Sequence, residues 1–197
     1  MTICFATNNL HKLEEVRHAV AGEPINILSL SDINCFDELP ETRDTLEGNA
    51  LQKAEFVFQH YNLPCFADDT GLEVEALNGS PGVYSARYAG DQRNSEDNIT
   101  LLLKELQHKP NRRARFRTVI TCIGLSDKPV NFEGVIDGEI VDARHGGGGF
   151  GYDPVFKPIG YDRTFAEMTL AEKNSLSHRA RAVAQLIDYL QSLQTVQ

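Results

Sequence analysis

Residues 65–79 read CFADDTGLEVEALNG, and the organisation of the chain turns on how this stretch is parsed. Cys65-Phe66-Ala67 is a short apolar run with strand character. Leu72, Val74 and Ala76 alternate with Glu73 and Glu75, the pattern of a half-buried strand over 72–77. Between them stands Asp68-Asp69-Thr70-Gly71, an acidic, glycine-bearing sequence that predicts a turn. Adjacent carboxylates repel, which raises the pKa of one of them unless a cation keeps both ionised. They sit where a strand leaves the core, and loops at strand ends are where α/β proteins carry functional groups. Two readings follow. One is a plain acidic turn. The other is a site for a hard divalent cation such as Mg²⁺, which favours carboxylate oxygen and accompanies substrate phosphates. In that second reading one aspartate orients or deprotonates a water and the other helps to hold the metal.

Upstream, the pattern predicts a strand at 2–7, a polar turn, and a helix with Leu13, Val16 and Val20 on one side. A strand near 25–30 and an irregular acidic stretch at 31–44 follow. A helix over 45–61 places Leu46, Ala50 and Val57 on one stripe, with Lys53 on the same stripe. Downstream, NGSPGVYSARYAG (78–90) is a loop by its Gly and Pro content, and a helix near 95–107 uses Ile99, Leu102, Leu103 and Leu106. Strands at 114–125 and 130–141 flank a Ser-Asp-Lys-Pro turn and read as an antiparallel hairpin. The run HGGGGFGYDP (145–154) leads to a short strand at 155–156. Thr169 and Glu172 have capping-box spacing, and a last helix from about Ser177 buries Val183, Leu186, Ile187 and Leu190. Helices and strands interleave around one hairpin, so the expected class is α/β with a mixed sheet in a single domain over 1–197.

The bulk composition narrows the function. Apolar residues at 41% and charged residues at 24% are ordinary for a soluble globular protein, and no stretch approaches the ~20 apolar residues of a membrane span. The opening MTICFATNN has no basic leader and no long apolar core, so no signal peptide and a cytoplasmic location are expected. The four cysteines are far apart with no CxxC, and Cys4, Cys65 and Cys122 lie in apolar runs as reduced core thiols. A formal charge of −9 argues against a nucleic-acid polymer as partner, though not against a single nucleotide met by a few cations and Mg²⁺.

Three further constellations stand out. Thr7-Asn8-Asn9-Leu10-His11-Lys12 lies where a strand hands over to a helix, so free backbone N–H groups and the helix dipole favour an anion, with Lys12 adding a charge. The alternative is an Asn-capped helix with a surface lysine, and the stretch is not a P-loop. Lys53, on an apolar stripe, either snorkels outward or meets an anionic partner in a cleft; Glu41, in the acidic stretch just before its helix, is a candidate metal ligand. In HGGGGFGYDP the glycines permit close backbone approach, and Phe150 is placed to stack on a flat ring. His178 and Arg179 offer donors at the start of the last helix. Arginine can only donate, so it favours a carbonyl such as the O6 of a 6-keto purine over adenine's amino group. A flexible glycine loop and an ordinary charged helix start are the plainer alternatives.

TNNLHK, LPET, NALQKA, FADDTGLEVEALNGSPGVYSARYAG, GGFGYDPVF and SLSHRA together resemble the inosine/xanthosine triphosphate pyrophosphatases, in matching order from the first strand to the last helix. The resemblance implies Mg²⁺-dependent cleavage of ITP, dITP and XTP between the α and β phosphates, giving the monophosphate and pyrophosphate. It implies Asp69 as the base that activates water, Asp68 beside it supporting the metal, and Glu41 as a metal ligand. Thr7 to Lys12 (through Asn8, Asn9, Leu10 and His11), Lys53 and Thr70 would hold the triphosphate. Phe150, Gly151, Tyr152 and Asp153 would form the nucleoside pocket, completed by Lys173, His178 and Arg179. The implied fold is an elongated mixed sheet with helices, two lobes around a central nucleotide-binding cleft, in a homodimer. Thr70 stands where many members have Ser, 42–50 lacks a Phe often found after its second Thr, and His145-Gly146 alters the start of the glycine run. Two rival readings stand beside it: a broader triphosphate pyrophosphatase of the septum-inhibitor type, whose serine-rich, arginine-bearing opening TNNLHK lacks, and a nucleotide-binding regulator without turnover.

Overall fold

The computed structural model describes residues 1–194. It has seven strands: β1 (Thr2–Phe5), β2 (Asn26–Leu28), β3 (Cys65–Val74), β4 (Pro81–Gly82), β5 (Arg113–Ile123), β6 (Val130–Ile140) and β7 (Phe156–Pro158). The helices are α1 (Leu10–Ala19), α2 (Leu46–Tyr61), α3 (Ser95–Glu105), α4 (Leu170–Asn174) and α5 (His178–Gln194). The strands form one mixed sheet in the order β2-β1-β3-β5-β6-β7, with β4 paired to β3 off that path. β1 runs parallel to both β2 and β3, whereas β3–β4 and β6–β7 are antiparallel. The expected α/β class and mixed sheet are therefore present. No helix among the described residues is long and apolar enough to cross a membrane.

Two compact units divide the chain: 1–69, 118–134 and 179–197 make the first, and 70–117 with 135–178 the second. In the first unit the pleat of β1 and β3 sorts side chains onto two faces. Ile3, Phe5 and Phe66 pack with Leu13 and Val16 of α1 and with Val183, Leu186 and Leu190 of α5. Phe5 and Phe66 stack with ring centroids 4.6 Å apart. Cys4, Ala6, Cys65 and Ala67, all small, face the other way and receive Ala54 and Val57 of α2. Small residues on that face let the helix approach the strands closely. α2 starts where Thr45 accepts a hydrogen bond from Gly48 N–H and ends at Asn62, whose φ of 49° breaks the helical path.

In the second unit α3 buries Ile99 and Leu102 against Leu72, Val74, Phe116, Ile136, Ile140 and Phe156. Gly71 is required there, because a Cβ would come within 2.7 Å of the Gly82 carbonyl oxygen where β3 pairs with β4.

The expected turn at 68–71 is corrected by the structure. β3 runs unbroken from Cys65 to Val74 through both aspartates, and the chain bends only at a 3₁₀ turn over Glu75–Leu77. Each charge finds a partner on its own face, so the backbone has no need to leave the sheet. The stretch 78–90, expected as loop, contains the short strand β4 and a 3₁₀ turn over Ser85–Arg87; β1 stops at Phe5 and α3 at Glu105.

Candidate active site

The alternation that sends Phe66 toward α1 and α5, and Cys65 and Ala67 toward α2, continues into the aspartates. Asp68 Oδ1 accepts from Lys12 Nζ at 3.0 Å and its Oδ2 from Arg179 Nε at 3.0 Å. Asp69 Oδ2 accepts from Asn49 Nδ2 at 3.0 Å, and its Oδ1 lies 3.7 Å from Lys53 Nζ. Two like charges are tolerated side by side because the strand turns them apart, and Lys12, Lys53 and Arg179 supply the opposite charge around them.

Their electrostatics differ accordingly. Burial works against ionisation of Asp68, yet Lys12, Arg179 and Lys53 outweigh it and hold its carboxyl well below the usual range. Arg179 also donates through Nη1 to the buried carboxylate of Glu15. Burial opposes the guanidinium charge, but Glu15 and Asp68 together push its pKa further up. The result is a buried chain of alternating charge, Lys12–Asp68–Arg179–Glu15. For Asp69, by contrast, burial pushes the carboxyl up beyond what Lys53 and Lys12 pull down, and Glu41 adds to the rise. Asp69 is therefore the more basic of the two carboxylates when ionised, and the better proton acceptor.

Lys53 answers the question its apolar stripe posed. Its ammonium is buried and donates to Glu41 Oε1 at 2.6 Å. Burial opposes the charge, and Asp69 followed by Glu41 overcomes it, raising the pKa. The loop that carries Glu41 is fastened to α2: Thr42 N–H donates to Gln52 Oε1 at 2.9 Å and Arg43 N–H to Asn49 Oδ1 at 2.9 Å. Among the described residues no group of three or more His, Cys, Asp or Glu side chains is gathered as a metal site. Glu41 and Asp69 nevertheless converge on one ammonium, and their side chains are 20% and 12% exposed. Two hard oxygen donors, each partly exposed, suit Mg²⁺, which ordinarily completes its shell with water and substrate oxygens. Asp68 is bonded by Lys12 and Arg179.

The 7–12 segment is built as the handover from β1 to α1. Asn9 caps the helix by accepting from Lys12 N–H, and Thr7 Oγ1 accepts from Asn9 N–H at 3.2 Å. Asn8 ties down the acidic stretch, donating to the Asp37 carbonyl and accepting from Leu39 N–H at 3.1 Å. Leu10 and His11 are exposed.

In the second unit the glycine run wraps a buried carboxylate. Asp153 Oδ2 accepts from Phe150 N–H at 2.8 Å and from Lys173 Nζ at 2.7 Å. The Lys173 ammonium also lies 4.6 Å from the Phe150 ring centroid. Gly149 has φ +72°, and a Cβ there would collide with the Asp153 carboxylate. Gly151 is also left-handed, at φ +60°, and Thr70 is half-buried on β3. The His178 ring stacks on Phe116 with centroids 4.6 Å apart. Tyr152 is placed as core, its ring buried and its hydroxyl donating to the Ser85 carbonyl at 2.9 Å.

Asn49 and Glu15 were missed in the sequence. Asn49 lies in the first turn of α2, just after the Thr45 cap, and is buried beside Ala50. Glu15 lies next to Val16 among the buried residues of α1, and its partner Arg179 is far away in the sequence.

The fold and these clusters define a mixed α/β protein with a carboxylate–ammonium site on its central strand. A sequence profile of the Ham1 family matches residues 3–189, and the chain belongs to that family. It is similar to the dITP/XTP pyrophosphatase of Flavobacterium johnsoniae, at 55% identity over 190 residues covering 96% of this chain and 98% of the relative. The dITP/XTP pyrophosphatase of Porphyromonas gingivalis is 56% identical, with 95% of this chain and 96% of the relative covered. Among solved structures, the Staphylococcus aureus Ham1 protein superposes with a TM-score of 0.87 at 38% identity, covering 98% of this chain and 99% of that one.

Proposed function

We propose that this chain is a nucleoside triphosphate pyrophosphatase that hydrolyses deaminated purine nucleotides, ITP, dITP and XTP, to the monophosphate and pyrophosphate with Mg²⁺. The observation that carries the proposal is the Glu41–Lys53–Asp69 group, in which an ammonium on α2 lies against a carboxylate on β3 and another on the loop before α2. Its relatives are named for two of these substrates, dITP and XTP. Mg²⁺ held by Glu41 and Asp69 would neutralise phosphate charge and acidify a bound water. Asp69 accepts the proton of the attacking water as the new phosphorus–oxygen bond forms. The bond between the α and β phosphates breaks, and its electron pair leaves with pyrophosphate. Lys53, Lys12 and the N-terminus of α1 meet the charge of the triphosphate. Phe150 offers a ring face to the base, and Lys173 and His178 supply donors that suit a 6-keto purine.

The test is release of pyrophosphate and monophosphate from ITP, XTP, dITP, GTP and ATP with Mg²⁺. Turnover of the deaminated nucleotides well ahead of GTP and ATP is expected. Equal rates on ATP and GTP overturn the substrate assignment. ITP binding without pyrophosphate release favours a regulator without turnover. A homodimer is part of the same proposal, with light scattering expected to give twice the chain mass.

A further inference from the structure

Asn49 is buried, with 1% of its surface exposed, and its amide is held at both ends. Arg43 N–H donates to Oδ1 at 2.9 Å, and Nδ2 donates to Asp69 Oδ2 at 3.0 Å. A backbone N–H can only donate, so the first bond fixes which end of the amide is oxygen. The second is then a donor aimed at the carboxylate. One turn along α2, Gln52 makes a similar double tie to Thr42, with Thr42 N–H on Oε1 at 2.9 Å and Nε2 on Thr42 Oγ1 at 2.8 Å. Among the described residues Gln52 reaches Thr42 and not Asp69.

We infer that Asn49 is a positioning residue for hydrolysis: it sets the rotation of the Asp69 carboxylate and couples it to the loop that carries Glu41. The inference rests on Asp69 taking the proton from water. The terminal torsion of an aspartate is broad, so an unheld carboxylate samples many orientations. The bond from Asn49 to Oδ2 leaves Oδ1 directed to the side of Lys53. A substitution therefore acts on turnover rather than on nucleotide affinity.

Steady-state pyrophosphate release from ITP, with urea midpoints as a fold check, is measured for wild type, Asp69→Asn, Asn49→Ala, Asn49→Asp and Gln52→Ala. Asn49→Asp keeps an acceptor for Arg43 N–H and loses the donor to Asp69. Both Asn49 variants are expected to lose roughly 10- to 100-fold in kcat, with KM within about threefold, as for one lost hydrogen bond to a charged group. Gln52→Ala loosens the same loop and is expected to lower the urea midpoint while keeping kcat within about threefold. Folded Asn49 variants with wild-type kcat overturn the inference, as does a Gln52→Ala that loses as much kcat as they do. If Asn49→Ala fails to fold, Asn49→Asp decides. An inactive wild type or a fully active Asp69→Asn overturns the functional reading itself. An active wild type and a dead Asp69→Asn beside unaffected Asn49 variants overturn this inference alone.

Discussion

Asp68 and Asp69 are neighbours in sequence, yet the first binds Lys12 of α1 and Arg179 of α5 while the second binds Asn49 and approaches Lys53 of α2. The pleat of β3 makes this division, and it gives the two carboxylates unequal consequences for stability. Asp68 neutralises the buried Arg179 and the partly buried Lys12. Asp68→Asn leaves them short of a counter-charge and is expected to cost about 3–5 kcal/mol in urea unfolding. Burial disfavours the charge on Asp69 and Lys53 keeps Glu41 as a partner, so Asp69→Asn is expected to lower the urea midpoint less than Asp68→Asn does. Equal destabilisation by the two variants would contradict the division.

Lys53 holds Glu41 and Asp69 at one ammonium, and Lys53→Met leaves those carboxylates facing each other. The variant is expected to lose about 3 kcal/mol of stability and to regain part of it when MgCl₂ is added, more than wild type gains. A thermal midpoint indifferent to Mg²⁺ in the variant counts against Glu41 and Asp69 as metal ligands. ITP turnover by wild type is expected to stop in EDTA.

How much of this was legible in the sequence depends on whether the signal was local. The stripe of Leu46, Ala50 and Val57 disclosed α2 to within a residue, because periodicity and a threonine cap are properties of neighbouring residues. The same stripe could not say which way Lys53 turns, since Glu41 lies outside the helix and reaches it through tertiary structure. The residues 68–71 read as a turn because the cations that allow them to stay in a strand come from α1, α2 and α5. Arg179 was assigned to the base from its donor chemistry. Its geometry places it between Asp68 and Glu15, a partner 164 positions away. Tyr152, which the resemblance put in the nucleoside pocket, has its ring in the core of the second unit.

Gly149 combines a left-handed φ of +72° with a Cβ position blocked by Asp153. Gly149→Ala is therefore expected to cost about 1–3 kcal/mol and to raise KM for ITP by displacing Phe150 and Lys173. Gly147, where a Cβ meets nothing within 4 Å, is the control, and Gly147→Ala is expected to change little. Similar losses at both positions would count against the role assigned to the Asp153 cradle.

Acid should act on the cap of α4. Thr169 N–H donates to Glu172 Oε2 at 2.8 Å, and that bond, with those from the Thr169 hydroxyl and Arg163, holds Glu172 below the usual glutamate range. A pKa lower in the folded than in the unfolded chain gives stability that is present above about pH 4.3. That stability is lost as pH falls through the folded value. The gap in urea midpoint between wild type and Glu172→Gln is expected to be open at pH 6 and to close toward pH 3. A gap that widens in acid would reverse the sign and refute the assignment.

Single-turnover release of pyrophosphate from ITP, with Mg²⁺ and saturating Asp69→Asn protein, tests the assignment of chemistry to Asp69. A fall of roughly 10²- to 10⁴-fold in the rate, with folding intact, is expected for loss of a positioned base. A rate within a few fold of wild type would contradict it, and with it the division of duties between the two aspartates.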